Sequence, residues 1–201
     1  MDLAAHVFST GWASGVNAYL TVAMLALLGR AGAVEVPDEL TSDAVLAVSL
    51  VMFAVEFVAD KIPYIDNAWD AIQTAFRPAI GSAVGFAFAG DAAVSGADEL
   101  LAGVGSGTTA LASHGVKAGL RLGINASPEP VTNVIASFTE DGLVAVIVAF
   151  SLEQPEIAAA IALVLLAGGI TLVVLVWSRI RRALLRLMQR PGPRPPPGPP
   201  G

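Results

Sequence analysis

Residues 157–178 read IAAAIALVLLAGGITLVVLVWS, twenty-two positions without a charge. A helix needs about 20 mainly apolar residues to cross the hydrocarbon of a bilayer, so this stretch is the clearest candidate span in the chain. Downstream, Arg179, Arg181, Arg182, Arg186 and Arg190 crowd together, and prolines dominate residues 191–201. The pattern predicts a basic helix end over 179–190 and a disordered tail over 191–201. Upstream, a Gln154-Pro155-Glu156 turn separates the span from another at 131–152, whose first half is polar.

Four more candidates lie further back. Residues 99–123 are rich in small side chains and predict a helix shielded by its neighbours. Residues 68–90 make another, interrupted at Arg77-Pro78, and 44–60 (AVLAVSLVMFAVEFVAD) and 12–31 complete the set. The fold expected is all-α: a polytopic membrane bundle of about six spans over residues 1–178. The loops between spans divide by charge. Segments 33–43, 91–99 and 151–156 hold nine acids and no Lys or Arg, whereas Lys61, Arg121 and the C-terminal arginines mark the other ends. The positive-inside rule places the acidic loops outside and both termini in the cytoplasm, with Arg30 snorkelling at an outer end.

Composition agrees. Of 201 residues, 55% are hydrophobic and 14% charged, against about 45–50% and about 25% in soluble domains. The formal charge is −6, yet residues 1–178 alone carry 17 acids and five bases, a balance of −12. This excludes a disordered chain, a nucleic-acid-binding domain and a disulfide-stapled module. There is no cysteine, hence no thiolate chemistry. Asp2 stands where a signal peptide would be basic, so the N-terminal apolar stretch is expected to stay in the mature protein.

Charges inside apolar segments are costly and usually serve a purpose. Three stripes stand out. Glu56 and Asp60 end one helix, and Asp66, Asp70, Gln73 and Arg77 lie on one face of the next. His114, Lys117 and Arg121 form the second stripe, on a helix where Gly115, Gly119 and Gly123 favour close packing. Asn133, Ser137, Glu140 and Asp141 form the third, beyond a Pro128 break where Ser127 reads as a helix cap. Each stripe also has a plain reading as packing pairs or snorkelling side chains. Gly11, Gly15 and Asn17 in the first span read as close packing or as an amide lining a pore. The breaks at Pro63 and Pro128, each preceding a returning helix, suggest either a parallel internal repeat or a coincidence.

GWASGVNAYLT (11–21), EFVADKIPYIDNAWD (56–70), FRP (76–78), HGVKAGLR (114–121), NASPEPVTN (125–133) and SFTED (137–141) resemble the motifs of a group of small bacterial membrane proteins, the domain of unknown function 4126. The resemblance covers roughly residues 8–175. It implies a polytopic bundle and no particular activity.

No nucleophile elbow, phosphate loop, dinucleotide fingerprint or zinc motif is apparent. The leading expectation is a small transporter or channel of a bacterial inner membrane. Its charged cavity, open to the cytoplasm, would be lined by Asp60, Lys61, Asp70, Arg77, His114, Lys117, Arg121, Asn133, Ser137, Glu140 and Asp141. Arg77 is expected beside Glu140 or Asp141. Proton coupling is expected at Glu140 or Asp141, since adjacent carboxylates resist double ionisation. The alternatives are an enzyme acting on a lipid or lipid-linked phosphate, with His114 or Glu140 as acid or base, and a structural or assembly factor. The expected surroundings are the lipid bilayer and an unidentified ion or small solute, with no cofactor and no nucleic acid. Metal binding and homo-oligomerisation are left open.

Overall fold

The computed structural model describes residues 2–126 and 130–188. Among these it contains seven α-helices, one short 3-10 helix and no strand. The Ser127 cap, the Pro128 break, Arg190 and the tail over 191–201 lie outside the described residues.

Helix α1 (Leu3–Val16) starts with the Asp2 carboxylate accepting from Ala5 N. It stops at Asn17, whose backbone is extended (φ −149, ψ 98), and α2 (Ala18–Arg30) begins at once. Asn17 caps α2 with its side-chain oxygen, which accepts from Leu20 N at 2.9 Å. The chain reverses here. The Ser151 carbonyl accepts from His6 Nδ1 at 2.7 Å near the start of α1, and Arg30 at the end of α2 pairs with Asp43 at 2.6 Å. Both ends of the α1–α2 hairpin therefore lie at the end of the bundle that carries the acidic loops. At 1.5 Å per residue each arm is only about 20 Å long.

This corrects the expected first span. Residues 12–31 are not one helix, because the break falls at Asn17 and α1 reaches back to Leu3. The start of α1 lies at the acidic end, opposite the end towards which α7 runs. A polar residue that can cap a new helix, placed after Gly15 and Val16, is the local cause.

From the acidic end the chain makes a 3-10 turn (Asp38–Thr41) and then crosses the bundle five times. Helix α3 (Asp43–Ala59) runs to the basic end, α4 (Ile65–Asp91) returns, and α5 (Ala97–Asn125) runs back down against it. Helices α6 (Pro130–Glu153) and α7 (Pro155–Met188) complete the bundle. Pro78 does not interrupt α4, which continues unbroken through it. The two hairpins considered as a repeat have unequal arms, 17 and 27 residues against 29 and 24.

Small residues let three helices approach closely. A Cβ on Gly15 would overlap the Ser113 side chain and the Ala110 carbonyl of α5, and one on Gly107 would meet Pro78 O of α4 at 2.8 Å. In the acidic half, Trp12, Val16, Leu25, Val84, Phe88, Val144 and Ile147 form an apolar core. In the basic half the core is polar: Glu56, Asp60, Asp66, Asp70, Gln73, Arg77, His114, Lys117, Arg121 and Asn133 are all buried. The outer faces are apolar, with Val48, Val51, Val55 and Val58 of α3, Leu101 and Val104 of α5, and Val164 and Val174 of α7 exposed. Val131–Glu153 and Pro155–Arg182 are the helical stretches, among those described, long and apolar enough to cross a membrane.

The hairpin's seat on α5 is testable. Gly15→Ala overpacks the α1–α5 contact and should cost about 1–3 kcal/mol, seen as a lower unfolding temperature in detergent. Gly115, on the same bundle but with no atom near its would-be Cβ, should gain rather than lose stability on substitution by Ala.

Candidate functional site

The hairpin tip determines what the site must contain. Where α1 ends, its last carbonyls have no partner within the helix. Two cations from neighbouring helices cover the last two: Arg77 Nη1 donates to Gly15 O at 2.9 Å and Lys117 Nζ to Val16 O at 3.1 Å. Ser113 Oγ adds a second bond to Trp12 O, one turn further back, at 2.9 Å. Two buried cations are thereby drawn beneath the break, and carboxylates gather around them.

Arg77, wholly buried, uses Nη2 to hold Glu56 Oε1 at 2.5 Å and Asp70 Oδ1 at 3.2 Å. Its Nη1 lies 2.9 Å from His114 Nδ1. A guanidinium can only donate, so Nδ1 accepts and the proton of a neutral His114 sits on Nε2. That nitrogen then donates to Asp70 O at 3.0 Å, with Thr74 Oγ1 also 3.0 Å away. Lys117 Nζ pairs with Asp60 at 2.6 Å, Glu56 at 3.4 Å and Glu140 at 3.6 Å, and lies 4.0 Å from Asp70. Arg121 grips Glu140 with two parallel bonds, Nε to Oε1 at 3.0 Å and Nη2 to Oε2 at 2.6 Å. Its Nη1 reaches Asp60 O at 2.8 Å and Asn133 Oδ1 at 3.0 Å.

The network is thus a ladder of three cations, one from α4 and two from α5, enclosed by carboxylates of α3, α4 and α6. At its lower end Asn125 Nδ2 donates to both oxygens of Asp66. At its upper edge Asn17 Nδ2 donates to Asp141 Oδ1 at 3.0 Å. Lys61 sits at the side. Its Nζ donates to Phe57 O at 2.8 Å and Ser137 Oγ at 3.2 Å, and it lies over the Phe57 ring at 3.0 Å.

Of the residues named from the sequence, Asp60, Asp70, Arg77, His114, Lys117, Arg121, Asn133 and Glu140 come together in one network. Lys61, Ser137 and Asp141 flank it. One expectation changes: Arg77 contacts neither Glu140 nor Asp141 and joins Glu140 through Lys117. Among the described residues the charged groups pair closely with one another. A cavity of about 340 Å³ does reach Lys117 and Glu140, but from the side, between α1, α5, α6 and α7, with mostly apolar walls. Glu129, an acid of the NASPEP segment, lies outside the described residues.

Glu56, Asp66, Gln73 and Asn125 also belong to the network, although none is among the cavity residues expected from the sequence. Glu56, Asp66 and Gln73 stand on the charged stripes and could have been included on that signal. The carbonyls of Gly15 and Val16 leave no mark in side-chain patterns, and only Asn17 hints at them. Among the described residues no group of three His, Asp or Glu side chains is arranged to hold a metal ion.

An all-α bundle with an apolar exterior and an ion-pair core is the class that this fold and site define. The chain belongs to the family described as a domain of unknown function (DUF4126), whose model matches residues 4–175. No curated protein and no solved structure matches.

The ladder should fail sharply when a rung is removed. Arg77→Leu strands Glu56 and Asp70 with one shared cation and should cost about 3–5 kcal/mol. Arg30→Leu removes an exposed pair and should cost no more than about 1 kcal/mol. Folded yield and unfolding temperature of the two variants, measured side by side, check the contrast.

Proposed function

We propose that this chain is a multi-pass membrane protein that moves an ion or a small solute through the charged network beneath its broken hairpin. The observation that carries the reading is the inversion of the bundle, with charges buried and large aliphatic side chains exposed. In water so much exposed apolar surface would drive association; in lipid it is the ordinary exterior. Charges at membrane depth mark ion and substrate paths more often than packing. Short half-helices meeting at mid-depth are likewise a device of transporters, since irregular backbone is tolerated only beside protein or water.

In this reading α3 to α7 cross the bilayer and α1–α2 enters from the acidic side and leaves by it. Helices α4 and α5 are longer than a span requires, and their charges turn inward, so averaged hydropathy understates them. The basic end, with Lys61, Arg121 and the arginines after Ser178, faces the cytoplasm of a bacterial inner membrane. The N-terminus is then outside and the C-terminus inside.

Two measurements test this. Topology reporters at the N-terminus, after Gly96 and after Gln154 should all read outside, and one after Asn67 inside; an inside signal at the N-terminus would break the hairpin model. Proteoliposomes holding the purified protein should show flux for at least one of H⁺, Na⁺, K⁺ and Cl⁻. Glu140→Gln, with folding checked by its elution profile, should reduce that flux at least tenfold. Wild-type flux in this variant, or no flux of any of the four above empty vesicles, would reduce the network to packing.

A further inference from the structure

We propose that Glu56 and Asp70 form a proton-binding pair astride Arg77, and that the ion moved or used for coupling at this site is the proton. This rests on the transport reading above and names its ligand.

The network holds six carboxylates, Glu56, Asp60, Asp66, Asp70, Glu140 and Asp141, and four cations, Lys61, Arg77, Lys117 and Arg121. Fully ionised, it carries an excess of two negative charges. That excess is not spread evenly. Glu140 has two bonds from Arg121, Asp60 has Lys117, Asp66 has both an Asn125 amide and the Asn67 backbone N–H, and Asp141 has the Asn17 amide. Asp70 is the exception. It is 3% exposed, and neither of its oxygens accepts a hydrogen bond. Its charge partners among the described residues are Arg77 Nη2 at 3.2 Å and Lys117 Nζ at 4.0 Å. Both are already closer to other acids.

Glu56 supplies the other half. It is completely buried, its Oε1 takes the same Arg77 nitrogen at 2.5 Å, and its Oε2 has no donor. Gln73 Oε1, one turn along α4 from Asp70, also lacks one. Four buried acceptor atoms here thus lack a donor, against one donor, Arg77 Nε, that lacks an acceptor. A proton on one carboxyl supplies a donor and removes one of the two like charges that share a guanidinium. A metal ion answers the same need less well, since no three acids or histidines are grouped to ligate one among the described residues.

Every element packed around the pair is consistent with this. Helix α2 presents the Tyr19 hydroxyl, bonded to Gln73 Nε2 at 3.2 Å. Helix α3 adds Asp60, α5 adds His114, Lys117 and Arg121, and α6 adds Glu140 and Asp141. Helix α1 brings only the carbonyls of Gly15 and Val16, and α7 has no charge between Glu156 and Arg179. The expected proton site at Glu140 or Asp141 thus moves to α3 and α4, because Glu140 is satisfied twice over by Arg121. The pair also has a route to the hairpin: Arg77 holds both carboxylates with one nitrogen and the last turn of α1 with the other. When Asp70 gives up its proton, Arg77 gains a second full counter-charge, and its hold on Gly15 O changes with it.

The test is infrared spectroscopy of the full chain in lipid vesicles at pH 7. Wild type should show the C=O band of a protonated, buried carboxyl, shifted in D₂O. Asp70→Asn, the neutral mimic, should lose the band and keep the wild-type unfolding temperature, whereas Asp43→Asn should retain the band. Absence of the band from wild type overturns the proposal, as does its persistence at full intensity in both Asp70→Asn and Glu56→Gln. Failure of Asp70→Asn to fold also overturns it, since a neutral side chain is what the proposal places there. A wild-type band with no proton flux leaves a proton site and defeats transport. Flux without the band defeats the proton site and leaves transport.

Discussion

The end of α1 at Asn17 is the constraint on which the rest of the molecule depends. A helix that stops inside a bundle leaves carbonyls with nothing to accept, and each such buried group costs about 1–3 kcal/mol. Arg77 and Lys117 cover the last two, Gly15 O and Val16 O. Both are cations, and a buried cation needs an anion more than a carbonyl needs a donor. Glu56, Asp60, Asp70 and Glu140 are drawn in as a result, and Arg121 then balances Asp60 and Glu140. The break and the ion pairs are joined in one arrangement through Arg77 and Lys117.

That arrangement also explains the unusual distribution of residue size. Lys117 reaches α1 only if α5 lies against it, and α5 can do so because Gly15 faces Ser113 and Ala110 across the contact. Glycine at 107 does the same between α5 and α4. The three helices packed most closely thus bring the cations and the carbonyls of the break together, which excludes alternative partners and fixes the geometry of the ladder. The apolar half of the core, around Leu25, Val84 and Ile147, anchors the open ends of the hairpin and leaves the tip to be positioned by polar contacts.

How much of this is legible in the sequence depends on periodicity. The inward faces of α4 and α5 are legible because Asp66, Asp70, Gln73 and Arg77, and His114, Lys117 and Arg121, recur at helical steps within apolar segments. The apolar stretches from 131 and 157 onward are legible from length alone. The hairpin is not. A window over 12–31 averages across Asn17, and the polar residue that ends one helix and caps the next weighs no more there than any other. The end of the bundle at which α1 starts is missed with it, since one unrecognised reversal moves everything before it to the other end. The partner of Arg77 is missed for a different reason. Sequence gives the face of each helix but not its rotation against its neighbours, and Glu56 and Glu140 are both at suitable depth.

The charges at the hairpin tip are sorted by sign, and the helix dipole accounts for the sorting. Helix α1 ends at the tip, so it presents its negative end there, roughly half an elementary charge. Arg77 and Lys117 lie against that end. Helix α2 begins at the same point and presents the opposite sign, and the carboxylate found beside it is Asp141, bonded to the Asn17 amide. Cations beneath α1 and an anion beside α2 complement both ends. A continuous helix through residue 17 would offer neither pole and would leave Gly15 O and Val16 O bonded within the helix. Lys117 would then keep only carboxylates, and Arg77 only carboxylates and His114 Nδ1. The reversal at Asn17 therefore does more than fold the chain back. It adds oriented partial charges to an ion-pair network, and it makes the balance of that network depend on where two short helices point.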